Sequence, residues 1–286
     1  LQLCARRQQR RRMISLEATG ERLRAQRQLL LRKMREGAKR RSLVFDKDGV
    51  ILDLVGTWFP VVEKLVDYTL DRLPSEGRAT VTRGSLLASV GVDEATGQID
   101  PLGIFAMGSF TDIRAAWQKL MPPGMIDLRE DESYRLEVRK LVRELAHGNT
   151  VPKGDVVTPM TRLAEAGFRL AVLTNDSEES ARGSLEEIGI LSLFDPVVGA
   201  DSGFGGKPDP QGLLHCLSVH GTDVSEALMI GDTGADFGAA RNAGVADFIC
   251  IADDPQYRPH EDVNVANVIA RLSDLPDLLV RRGDMV

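Results

Sequence analysis

The chain has 286 residues, 43% of them hydrophobic and 27% charged, the composition of a globular protein large enough for one big domain or a core with an insertion. Its longest apolar runs fall well short of the roughly 18 residues a membrane span needs, and three widely separated cysteines, Cys4, Cys216 and Cys250, argue against a disulfide framework or a structural zinc site. The net charge of −6 hides a division: residues 1–42 carry 14 Lys/Arg against 3 Asp/Glu, whereas residues 43–286 carry 22 against 39, and so acidic a body argues against nucleic acid as a partner of the core.

In chain order, residues 1–41 form a basic N-terminal extension. Leu16, Leu23, Leu30 and Met34 recur at roughly helical spacing among arginines, which predicts a basic amphipathic helix. A solvated tail, an organelle-targeting segment and a contact with a membrane surface or acidic partner all fit it. Met13 is a candidate start. The cysteine usage fits a reducing compartment, so an intracellular, cytoplasmic location is the default expectation, organellar if the extension is a targeting peptide.

From Ser42 the pattern changes. Ser42-Leu43-Val44-Phe45 is a short apolar run ending in Asp46, read as a buried strand that delivers a carboxylate at its end. Similar runs lead from Arg169 to Leu173 and into Thr174, from Pro196 to Ala200 and into Asp201, and from Ala227 to Ile230 and into Gly231-Asp232. A fifth is Phe248–Ile251. Helical patterns lie between them at about 156–167, 178–190, 209–219 and 234–243. This alternation predicts an α/β fold, a Rossmann-like parallel sheet with helices on both faces, whose ligands bind beyond the carboxyl ends of the strands. The interval 60–152 interrupts it with helical patterns at Val61–Leu73, Arg78–Val90, Thr111–Leu120 and Leu128–Ala146. That predicts a helical cap inserted after the first strand, dividing the chain into core (42–59 and 153–286) and cap (60–152).

Four segments carry chemistry. In Asp46-Lys47-Asp48-Gly49 two carboxylates can face one pocket if the chain turns out of the strand, a turn Gly49 permits. Thr174-Asn175, with Asp176 or Ser177 able to cap the next helix, offers a hydroxyl, an amide and a helix N-terminus to phosphate. Gly205-Gly206-Lys207-Pro208 holds a lysine before a proline-rigid helix start. Gly231-Asp232-Thr233-Gly234-Ala235-Asp236 adds two further carboxylates. Asp46, Asp48, Asp232 and Asp236 set up to four negative charges against Lys207, a cluster whose members raise each other's pKa. A hard divalent cation resolves it, Mg²⁺ being the usual one beside phosphate. The implied chemistry is phosphoryl transfer through an aspartyl-phosphate.

All four segments occur in order, each after a predicted strand, and over residues 42–252 the sequence resembles the haloacid dehalogenase superfamily, in its phosphoglycolate-phosphatase-like branch. The resemblance implies a Mg²⁺-dependent phosphatase acting on a small phosphorylated metabolite, 2-phosphoglycolate or a sugar phosphate. It implies Asp46 as nucleophile and Asp48 as the acid that protonates the leaving oxygen, then the base that activates water. Thr174, Asn175 and Lys207 would bind the phosphoryl oxygens; Asp46, the Asp48 carbonyl and Asp232 would bind the metal. Asp236 would support the metal's water ligands or orient Lys207. Carbon–halogen dehalogenases replace the second carboxylate of the first motif, which here is Asp48. Phosphonate hydrolysis needs a cap lysine, for which Lys64 and Lys119 are the candidates, each read as a solvated helix residue. A phosphomutase of the β-phosphoglucomutase type, or a non-catalytic phospho-ligand binding protein, are the alternatives. Trp58 and Trp117 read as packing residues, and Gly103–Phe110 as the cap loop that meets substrate. Oligomeric state is left open.

Overall fold

A computed structural model describes residues 42–100, 102–146, 148–245, 247–253 and 259–285; the basic helix expected within 1–41 lies outside the described residues. Six strands, β1 (Ser42–Phe45), β2 (Arg169–Leu173), β3 (Phe194–Val198), β4 (Ala227–Gly231), β5 (Asp247–Ile251) and β6 (Val268–Ile269), form one parallel sheet in the order β3-β2-β1-β4-β5-β6. Their near-continuous apolar sequence follows from burial on both faces. Leu43, Phe45, Leu170, Val172, Leu228 and Ile230 point into one core cluster. Their alternates Val44, Ala171, Leu173, Ala227 and Met229 point into the other, as a period of two requires. The first face is covered by α7 (Val157–Glu165), α8 (Glu178–Glu187) and α11 (Leu275–Arg281), the second by α9 (Gln211–His220) and α10 (Gly234–Ala243).

Register places the site. Phe45 pairs with Val172 on one side and Ile230 on the other, so β1, β2 and β4 end at one level and hand Asp46, Thr174 and Asp232 to the same edge. Expected strand ends hold to within a residue or two. β3 begins two residues earlier than expected and stops at Val198, because Ala200 N–H instead donates to the Asp176 carbonyl at 2.9 Å. The two-residue β6 carries no periodic signal and was not expected.

Between β1 and β2 lie α1 (Leu54–Asp71), α2 (Ser75–Arg78), α3 (Arg83–Ser89), α4 (Ile104–Met107), α5 (Phe110–Gln118) and α6 (Glu132–Ala146), all of which but α2 contribute to a hydrophobic cluster of their own. Three expectations change here. α1 begins at Leu54, not Val61, capped by Asp53, and runs through Pro60, so the expected division at 59/60 falls inside a helix. Proline in a helix interior costs about 3 kcal/mol. Burial of Trp58, Val61, Val62, Leu65 and Val66, at about 1.5–3 kcal/mol each, outweighs that cost. The helix expected over Arg78–Val90 forms only over Arg83–Ser89, where Thr82 and Ser85 make a capping box that starts α3, while Arg78 ends the separate α2. α6 starts at Glu132, not Leu128, where Asp131 accepts from Tyr134 N–H at 2.7 Å. Among the described residues no helix is long and apolar enough to cross a membrane.

Candidate active site

Asp46 leaves β1 with its amide still bonded to the Ile230 carbonyl at 2.8 Å, and its carboxylate accepts from the Lys47 amide at 2.6 Å. The turn that follows depends on Gly49, at φ +80°, whose amide donates back to the Leu52 carbonyl at 2.8 Å and whose carbonyl receives the Lys153 ammonium at 2.6 Å. A Cβ at Gly49 would lie 2.0 Å from an Asp232 carboxylate oxygen. The first and fourth segments therefore meet by backbone-to-side-chain contact that only glycine allows. Gly49→Ala should destabilise the protein by at least about 1–2 kcal/mol from the left-handed backbone alone, with a further loss from displacing Asp232. Urea melts alongside turnover check this, and an unchanged midpoint would refute it.

The structure brings the expected residues together. Lys207, almost wholly buried, sets its ammonium 2.5 Å from Asp46 and 2.7 Å from Asp236. Asp236 is fully engaged: one oxygen meets Lys207, while the other accepts from Thr233 Oγ1 at 2.6 Å and from the Thr233 amide at 3.0 Å. Asp236 is thus held against Lys207. Thr174 is 2% exposed and its hydroxyl accepts from the Asp176 amide at 3.1 Å. The Asn175 side chain is engaged within the protein. Its oxygen accepts from the Lys207 amide at 2.7 Å, and its nitrogen donates to the Met107 and Lys207 carbonyls at 2.9 and 3.2 Å. It clamps the lysine loop to the helical insertion. Asp201, which follows the third strand much as Asp46 follows the first, instead accepts from Glu178 N–H at 2.8 Å at the start of α8. The unmet N–H groups at a helix start draw a nearby carboxylate.

Sequence reasoning missed three participants. Lys47 is completely buried, and its ammonium lies 2.9 Å from Asp48 Oδ1 and 3.1 Å from Asp176 Oδ2. Trp58, expected only to pack, donates its indole N–H to the same Asp48 oxygen at 2.6 Å. The sequence signal was there in part: a charged residue between two motif carboxylates, and an aromatic with a donor on the first helix after them. Trp117 packs as expected, donating to the Leu86 carbonyl. Lys64 and Lys119 are exposed, as a solvated reading requires.

Counting Lys47 and Asp176 corrects the sequence charge balance to five carboxylates against two buried ammonium groups, with the half-buried Lys153 adding a third positive charge beside Asp232. Burial, then repulsion from Asp236, pushes the Asp46 carboxyl up to about 7. Burial, then Asp46 and Asp236, holds Asp232 well above the ordinary carboxylate range. Burial works against the charge on Lys47, but Asp48 and Asp176 more than offset it and keep its pKa above the ordinary value. Asp46, Asp232 and Asp236 bring carboxylate oxygens within 4.8 Å of one another. Hard oxygen donors, an excess of negative charge and raised pKa values together fit a divalent cation such as Mg²⁺.

The raised values have a consequence for stability. Between the ordinary carboxyl pKa of 3.8 and about 7, folded Asp46 keeps a proton that the unfolded chain has released. The metal-free protein is therefore stabilised in that window at lower pH and loses stability as pH rises through it. Melts in EDTA should give a higher Tm at pH 5 than at pH 7.5, with added Mg²⁺ raising Tm more at pH 7.5. A higher Tm at pH 7.5 in EDTA would contradict this account.

A half-open pocket of about 60 Å³ lies over Asp46 and Asp48. Asp46, Asp48, Thr174 and Lys207 line it from the sheet side; Trp58, Phe105, Met107 and Phe110 line it from the helical insertion. The segment expected to meet substrate, Gly103–Phe110, thus supplies much of that wall. A larger groove of about 670 Å³ adjoins it, sharing Ser109, Phe110, Asn175 and Asp176, and carries Arg114, Arg135 and Arg139 on its helical wall. Burial, together with the charge of Arg135, holds the Arg114 pKa below its ordinary value.

Residues 41–244 match the model of the haloacid dehalogenase-like hydrolases. A phosphoglycolate phosphatase of Rhodospirillum rubrum is 31% identical over 69% of this chain and 76% of its own length. One from Vibrio cholerae is 38% identical over 33% of this chain and 42% of its own. The chain spans only 42–53% of the length of that protein and the phosphoglycolate phosphatases of Aquifex aeolicus and Mesorhizobium japonicum. Among solved structures, the L-2-haloacid dehalogenase of Xanthobacter autotrophicus superposes with a TM-score of 0.52 at 22% identity, covering 85% of this chain and 98% of that one. At that identity the likeness concerns the fold alone.

Proposed function

We propose, because this chain belongs to the haloacid dehalogenase-like hydrolase family, that it is a Mg²⁺-dependent phosphatase of small phosphorylated metabolites. The observation that carries this reading is the pair Asp46 and Asp48 lining one pocket, with Lys207 against the first. A dehalogenase needs the nucleophile but not the second carboxylate. Residues 60–152, with the rest of α1, would act as a cap that limits substrates to small molecules and excludes water.

Asp46 attacks phosphorus with a carboxylate oxygen. As the new O–P bond forms, the ester P–O bond breaks, its electron pair goes to the leaving oxygen, and Asp48 gives that oxygen a proton. Asp48 then takes a proton from water, whose oxygen attacks phosphorus; the Asp46 O–P bond breaks with its electron pair returning to the carboxylate, and inorganic phosphate leaves. Lys207 neutralises Asp46 before attack and stabilises the phosphoryl oxygens as charge develops. Thr174 contributes its hydroxyl from the end of β2, and Asn175 fixes the lysine loop. Bound Mg²⁺, held by Asp46, Asp232 and the Asp48 carbonyl, would shield the phosphoryl charge from the carboxylates.

The relatives' name favours 2-phosphoglycolate among the candidate substrates. The test is phosphate release from a panel of small esters, with and without Mg²⁺. Metal-dependent release, fastest on acidic esters, is expected. No release from any ester by folded, metal-loaded protein would refute the phosphatase reading. Transfer between hexose-phosphate positions would replace it with a mutase.

A further inference from the structure

The buried Lys47 has no part in the reaction as derived so far. Its side chain is 0% exposed, and withdrawing an ammonium from water costs several kcal/mol before its partners offset it. Every proton it carries is accounted for: one toward Asp48 Oδ1 at 2.9 Å, one toward Asp176 Oδ2 at 3.1 Å, and one toward the face of the Trp58 ring, 4.7 Å from the centroid. It therefore has no donor left for a phosphoryl oxygen. The same indole that receives the ammonium on its face donates its N–H to Asp48 Oδ1 at 2.6 Å. Two donors, from the loop after β1 and from α1, thus grip a single oxygen of Asp48, while Asp176, from the loop after β2, anchors the lysine.

Resting on the phosphatase reading above, we propose that Lys47 and Trp58 are positioning residues for Asp48, holding Oδ1 so that its other carboxylate oxygen is presented to the leaving-group oxygen of the substrate. A carboxylate on a short side chain rotates about two bonds. Without the grip it would sample orientations that cannot deliver a proton, and alignment of the reacting groups is worth large factors in rate. Asp176 has a matching part. It turns what would be a lone lysine beside Asp48 into a fixed one, at the cost of a second buried carboxylate.

The consequence is selective. An alkyl phosphate releases a strongly basic alkoxide and needs the proton from Asp48, whereas p-nitrophenyl phosphate releases a stable phenolate and hardly needs it. Trp58→Phe keeps the ring over Lys47 and removes only the N–H. In single-turnover measurements of phosphoryl transfer to Asp46 on Mg²⁺-loaded enzyme, it should slow transfer from β-glycerophosphate on the order of tenfold, the value of one hydrogen bond to a charged group. Transfer from p-nitrophenyl phosphate should change by less than about threefold. Lys47→Met should show the same selectivity with a larger loss. If it does not fold because Asp176 is left uncompensated, Lys47→Met/Asp176→Asn takes its place.

A double-mutant cycle separates positioning from bulk structure. In an Asp48→Asn background, which has no acid to position, Trp58→Phe should cost nothing further. Equal losses on the two esters, additive losses in the cycle, or an unaffected Trp58→Phe would each overturn the proposal. Failure of the wild-type protein to transfer phosphoryl from either ester would instead remove the phosphatase reading, and the proposal with it.

Discussion

Asp46→Asn should abolish metal-dependent phosphate release, by at least about 10³-fold, while making the metal-free protein more stable at pH 7.5. The two effects have opposite signs and one origin. An amide cannot attack phosphorus and return as a leaving carboxylate, and removal of a nucleophile costs up to about 10⁶-fold in hydrolases that depend on one. The same substitution is nearly isosteric and takes one negative charge out of a buried group of three that lie within 4.8 Å. Asp232, held high by burial and then by Asp46, should then ionise more readily. Phosphate release from the best ester, with melts in EDTA, checks both. Activity within tenfold of wild type would dismiss Asp46 as nucleophile. A lower metal-free Tm would show that its pairing with Lys207 outweighs the repulsion among the carboxylates.

Lys207→Met should produce the other large effect, here with activity and stability falling together. Its ammonium joins Asp46 to Asp236 at 2.5 and 2.7 Å, and both carboxylates are buried. Removing one partner from such a cluster leaves the others uncompensated and costs about 3–5 kcal/mol. Loss of a preorganised cation at the phosphoryl oxygens should lower kcat on the order of 10²–10³-fold. Adding Asp46→Asn to Lys207→Met should recover part of the stability and none of the activity, because the second change removes the charge that the first stranded. Denaturant melts of the two single variants and the double variant decide this. Simple additivity would mean that Lys207 does not act through Asp46.

Much of this protein is legible in one dimension because its strands are buried on both faces. Such strands appear as unbroken apolar runs, and in a parallel sheet their ends lie on one edge. Asp46, Asp48, Thr174, Lys207, Asp232 and Asp236 could therefore be gathered from their positions after the runs, and the excess of carboxylates pointed to a cation without any contact being known. Helix limits were less legible. Pro60 reads as a stop, and only the packing around Trp58 and Val62 carries α1 through it.

The residues that were misread share a cause. Lys47 looks like a spacer between two aspartates, Trp58 like an apolar residue, Asp176 like a helix cap and Asp201 like one more strand-end carboxylate, while the side-chain contacts of Asn175 leave no mark in the sequence. Each role depends on a partner from another segment: Asp48 and Asp176 for Lys47, Asp48 for Trp58, Glu178 N–H for Asp201, and Met107 with Lys207 for Asn175. Periodicity and motif order report which side of an element is buried and where it ends, because those follow from backbone geometry and local hydrophobicity. They carry no information about which charge meets which. That was decided when folding set residues 47 and 58 around a single carboxylate oxygen and Asp176 against Lys47, where burial makes every unpaired group costly and so leaves one arrangement of partners.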